Sequence, residues 1–78
     1  MLTGPLCRAA RALVEIDLPA LASVCGLDAD AIDAFERKLG KPDAATMKRL
    51  KEALEDLGAV FIPEDARGAG VRLKFTES

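Results

Sequence analysis

The chain has 78 residues, a formal charge of −2 and a pI of about 5.0, with 50% apolar and 31% charged residues and no histidine. That describes one globular domain, and a chain this short buries only roughly 60–65% of the surface it exposes when unfolded, so regular helix packing or dimerisation must help it. The charge argues against a protein that works by blanketing phosphates, two cysteines without histidine argue against a zinc site, and Glu15 and Asp17 interrupt the one long apolar run, so no segment reads as a membrane span.

The first expected helix covers residues 4–15. Thr3 suits an N-cap and Pro5 a first turn, and Leu6, Ala10, Leu13 and Val14 line one face. A short second helix, 18–25, follows Asp17 as cap, with Leu18, Leu21, Ala22 and Cys25 inward and Gly26 as its stop. Asp28 caps a third helix, 29–37. Ile32 and Phe35 face in, while Ala29, Asp30, Asp33 and Ala34 face away from them. "KLGKPD" is a turn, and Asp43 opens a fourth helix, 44–57, with Met47, Leu50, Leu54 and Leu57 on its buried side and Lys51 placed to pair with Glu55.

The period then changes from helical to alternating. "AVFIP" and "GVRLKF" predict a small β-hairpin, 59–62 with 71–75, around the glycine-rich loop "EDARGAG". An isolated hairpin is marginal in water. It must cover the end of the helical core or pair with a second copy through its free edge. The fold class is therefore mainly α: four short helices, a helix-turn-helix formed by helices 2 and 3, and a C-terminal hairpin, all in one domain spanning 1–78. Cys7 and Cys25 read as free, buried thiols, and the chain has no basic-then-apolar leader, so the expected location is the cytoplasm.

The segment "LPALASVCGLDADAIDAFE" carries a Leu21–Ala22 pair, Gly26 four residues after it, Ile32 six further on and Glu36 four beyond that. In this order and spacing it resembles the lambda-repressor/Cro-like, or xenobiotic-response-element-type, helix-turn-helix regulators. The resemblance spans residues 8–58, with Pro42 and Thr46 suiting the loop and the start of helix 4. The opening "LTGPLCRAARALVEI" and the ending "GAVFIPE…GAGVRLK" are similar to a subgroup of small bacterial members with a hairpin in place of the last helix.

The resemblance implies a DNA-binding transcriptional regulator, a homodimer, with helix 3 in the major groove of double-stranded DNA. It implies that Leu18, Ala29, Asp30, Asp33 and Ala34 face the DNA, that Arg37, Lys38, Lys41 and Lys48 contact phosphates beside Arg49, and that Arg11 and Glu36 form a structural ion pair. Against that stands the charge distribution. Between Ala12 and Glu36 there is no Lys or Arg, and there are six acids: Glu15, Asp17, Asp28, Asp30, Asp33 and Glu36. Leu18 stands where the family favours a Gln that contacts the backbone. The same scaffold would also serve as a protein-interaction module whose acidic helix 3 binds a basic partner, or which antagonises a DNA-binding relative by forming a mixed dimer. With no histidine, no tyrosine and no nucleophile or phosphate-loop motif, neither catalysis nor a cofactor is expected.

Overall fold

In a computed structural model, described for residues 2–65 and 67–74, the chain forms α1 (Gly4–Val14), α2 (Leu18–Cys25), α3 (Ala29–Glu36), α4 (Ala44–Asp56), β1 (Ala59–Ile62) and β2 (Gly70–Leu73). Each helix begins on a side chain that satisfies an otherwise unpaired amide. Thr3 Oγ1 accepts from Leu6 N–H at 3.3 Å, Asp17 from Ala20 at 2.8 Å, Asp28 from Asp30 at 3.1 Å and Asp43 from Thr46 at 2.8 Å. No helix among the described residues is long and apolar enough to cross a membrane.

The first three helices end alike, on a left-handed residue whose successor's N–H reaches back to the helix. At α1 the turn residue is Glu15, φ 57°, and Ile16 N–H reaches Arg11 C=O at 3.0 Å. At α2 it is Gly26, φ 69°, and Leu27 N–H reaches Ala22 C=O at 2.9 Å. At α3 it is Lys38, φ 62°, and Leu39 N–H reaches Ala34 C=O at 2.8 Å. These closures explain why α1 and α3 stop one residue before the expected 15 and 37. Ile16 and Leu27 then pack on the core, whereas Leu39 is 73% exposed.

One core holds the elements together: Leu2, Cys7, Ala10, Leu21, Ala22, Cys25, Ile32, Phe35, Leu50, Ala53, Leu54 and Ala59 are buried. Helix α1 packs against α3, α4 and both strands, and α2 against α3 and α4. Leu57 departs from its expected inward position and is 42% exposed, because α4 has ended and the chain is turning at Gly58. Ala53 and Ala59 fill that end of the core instead. Among the described residues no ion pair joins Lys51 to Glu55.

The strands pair antiparallel, Ala59 with Leu73, Val60 with Arg72, Phe61 with Val71 and Ile62 with Gly70. The second strand starts one residue earlier than expected and ends at Leu73; Phe75 lies outside the described residues. Ala59, Phe61 and Val71 face the helices, so the hairpin closes the core over α1 and α4. Arg72 projects into solvent and its guanidinium donates to Leu73 C=O at 3.2 Å.

Gly4 sets how closely α1 approaches α3. A Cβ there would stand 2.2 Å from Phe35 C=O and 3.0 Å from Glu36 Cα, both backbone atoms that cannot swing aside. Gly4→Ala would raise stability on helix propensity alone. Here the clash dominates, and the expected result is a loss of about 2–3 kcal/mol in urea unfolding. A neutral or stabilising outcome would show that the α1–α3 approach is looser than described.

Candidate nucleic-acid interface

The α2–turn–α3 unit is anchored through one side. Leu21, Ala22 and Cys25 of α2 and Ile32, Phe35 and Glu36 of α3 are buried. The exposed side of α2 holds Pro19, Ala20, Ser23 and Val24, none of them charged, with Val24 60% exposed. On α3, Asp30 and Ala31 are exposed, and Asp33 and Ala34 are half-buried. Leu18 and Ala29, which the resemblance turns toward DNA, are both half-buried against the core; for Leu18 this agrees with its place on the apolar face of α2, and for Ala29 it departs from the outward position expected.

Glu36 is the one buried charged residue among those described. Arg11 grips it with two bonds, Nε–H to Oε2 at 2.7 Å and Nη2–H to Oε1 at 2.8 Å. The Cys7 thiol donates to Oε2 at 3.2 Å, and Arg8 Nε stands 3.8 Å from Oε1. A third Arg11 nitrogen, Nη1, donates to Ile16 C=O at 3.2 Å and so ties the α1–α2 turn to the same cluster. Among the described residues no buried side-chain nitrogen or oxygen lacks a partner. The hydrogen bond to Glu36 raises the Arg11 pKa further above its already high ordinary value. Burial first, and then the bond to Glu36, push the Cys7 thiol up to about 12. Burial also raises Cys25, partly offset by the Arg49 charge. Both thiols are buried and hold their protons at neutral pH, so neither is a nucleophile facing solvent.

The acids on α3 separate by partner. Asp28 is its cap, and Glu36 belongs to the core. Asp33 accepts from Arg37 Nη1 at 3.4 Å, a pair of helical i,i+4 spacing. Asp30 has no side-chain partner among the described residues. Arg37, expected at a phosphate, stays 59% exposed with its guanidinium beside Asp33. Arg49 is likewise engaged, at the C-terminus of α2, where it donates to Cys25 C=O at 3.5 Å.

Lys38, Lys41 and Lys48 are exposed and carry no ion pair among the described residues. Lys38 and Lys41 border one open groove of about 460 Å³ floored by Leu2, Phe35 and Met47. Lys41 also borders a second groove, about 410 Å³, between α3 and α4, which Ala31 and Ala34 of α3 line as well. The structure thus sets Lys41 near Ala31 and Ala34, with Lys38 on the neighbouring groove; Lys48 lines neither groove. Among the described residues no three His, Cys, Asp or Glu side chains converge as metal ligands.

Reading the sequence by period missed Gly4, the Cys7 bond to Glu36 and the Arg49 contact, which join residues distant in sequence. The Asp33–Arg37 pair did leave a signal, its four-residue spacing. Compared with known proteins, the chain matches no family model, and no curated protein matches it.

The thiol of Cys7 gives a testable alkaline dependence. An unfolded thiol releases its proton near 9.0, and the native one only near 12. The native state therefore holds the proton more tightly. The stability so gained is complete below pH 9.0 and is lost as pH rises toward 12. Urea midpoints should fall across that interval, and Cys7→Ala should flatten part of the fall. An equal decline in both proteins would contradict the assignment.

Proposed function

We propose that the protein is a small DNA-binding transcriptional regulator that acts as a homodimer in the cytoplasm and places α3 in the major groove. The observation that carries this reading is the combination of a core-anchored α2–turn–α3 unit with Lys38 and Lys41 just past the end of α3, unpaired among the described residues. In a helix-turn-helix dimer the second helix enters the groove, and two half-sites lie about one DNA turn apart. The small outer side chains of α3, Ala31 and Ala34, permit close approach, and lysines beside them would meet phosphates, which position a protein without reading sequence. The resemblance of residues 8–58 to the lambda-repressor/Cro-like regulators points the same way. The reading requires no cofactor and no catalysis.

A second reading is favoured by α2. Its exposed residues, Pro19, Ala20, Ser23 and Val24, offer no cation to a phosphate, and Asp28 and Asp30 stand exposed nearby in sequence. On this reading α2 and α3 meet a basic protein, or the chain pairs with a DNA-binding relative and blocks it.

Salt dependence separates the two. Titration of duplex DNA, including the protein's own promoter region, should show binding at low salt with two protomers per duplex. With three lysines from each protomer on phosphates, log affinity should fall with log salt at a slope of about −5, and Lys41→Ala should make it shallower. No binding to any duplex at low salt would overturn the regulator reading, and recovery of a basic protein in its place would support the second.

A further inference from the structure

We infer that Asp30 makes the protein select a cytosine in each half-site. This rests on the regulator reading above and names what α3 reads. The argument begins with how little α3 has to read with. Its eight residues, ADAIDAFE, include only three side chains able to form a hydrogen bond: Asp30, Asp33 and Glu36. Glu36 is buried, 4% exposed, and held by Arg11 and Cys7. Asp33 is half-buried and paired with Arg37 at 3.4 Å. Asp30 alone is exposed and has no side-chain partner among the described residues. It is also the second residue of the helix, in the N-terminal turn, which is the part of such a helix that meets base edges.

Its chemistry then chooses the base. An ionised carboxylate only accepts hydrogen bonds. In the major groove guanine presents two acceptors, thymine an acceptor and a methyl group, and adenine an acceptor beside its amino group. Cytosine presents a donor, its N4 amino group, and no acceptor. The contact is cytosine N4–H donating to an Asp30 carboxylate oxygen. At guanine and thymine the carboxylate meets only lone pairs or a methyl group, at adenine the N6 amino donor stands beside the N7 lone pair, which opposes the charge, and the phosphates repel it at all sequences alike. Asp30 therefore discriminates largely by weakening the wrong complexes.

That gives it a signature different from a structural residue. Asp30→Ala should bind duplexes lacking the cytosine more tightly than wild type does, while losing the preference. Asp30→Asn should move the preference from cytosine to adenine, because an amide both accepts from adenine N6 and donates to N7. The chain is used to select from a randomised duplex pool at low salt, with Asp30→Ala, Asp30→Asn and, as control, Asp56→Asn at the exposed end of α4. Wild type and Asp56→Asn should enrich one cytosine position per half-site, by about 5- to 150-fold over other bases. Asp30→Ala should show no preference there, and Asp30→Asn should show adenine. A wild-type site without such a cytosine, or a cytosine preference that survives in Asp30→Ala, would overturn the inference and leave the regulator reading standing. Retention of no duplex by wild type would overturn both.

Discussion

The carboxylate of Glu36 is the constraint around which the rest of the structure is arranged. A charge removed from water is costly unless its partners are near and well aligned. Here two arginine N–H groups and a thiol supply them, at 2.7, 2.8 and 3.2 Å. All three come from α1, one turn apart on the helix. The same guanidinium holds Ile16 C=O at the α1–α2 turn. One buried acid therefore fixes α1, the entry to α2 and the end of α3 relative to each other. Gly4 allows this, because it lets the α1 backbone rest on Phe35 and Glu36. A buried pair of this kind orients helices more than it stabilises them.

Anchoring α3 at its C-terminal end has a consequence for its other end. The residues that could reach a partner are those of the first turns, where the side chains are small apart from Asp30. What looked in the sequence like a run of misplaced acids is four different situations. Asp28 completes the helix, Glu36 orients it, Asp33 pairs with Arg37 at the surface, and Asp30 is left to solvent. The cations that could balance it against DNA lie past the C-terminus of α3. The closure at Lys38 turns the chain there, and Lys41 borders the groove that Ala31 and Ala34 line.

The fold was legible in the sequence because its punctuation is local. Thr3, Asp17, Asp28 and Asp43 each cap the helix they precede, and Gly26 ends α2 as its chemistry requires. The change of period at Ala59 marks the hairpin. The differences arise where the third dimension decides. Glu15 and Lys38 end helices in a left-handed conformation with no glycine to announce it. Leu57 follows the period of α4 but lies past its end, so Ala53 and Ala59 fill the core. Leu18 packs against the core as its place on the apolar face of α2 requires, and Ala29, expected to face outward, is half-buried there as well. In the candidate site the lysines were legible, whereas the engagement of Arg37 and Arg49 depends on which neighbours the fold brings within reach.

The claim that the Glu36 cluster holds α1 to α3 is tested most directly by a double-mutant cycle in urea unfolding with Arg11→Met and Glu36→Gln. Removing one partner of a buried pair leaves the other exposed to the full cost of burial, about 3–5 kcal/mol. The account predicts that Arg11→Met, which strands the carboxylate, is destabilising on that scale. It also predicts that the double variant loses far less than the sum of the two single changes. Strictly additive losses, or an Arg11→Met change within about 0.5 kcal/mol of wild type, would contradict it.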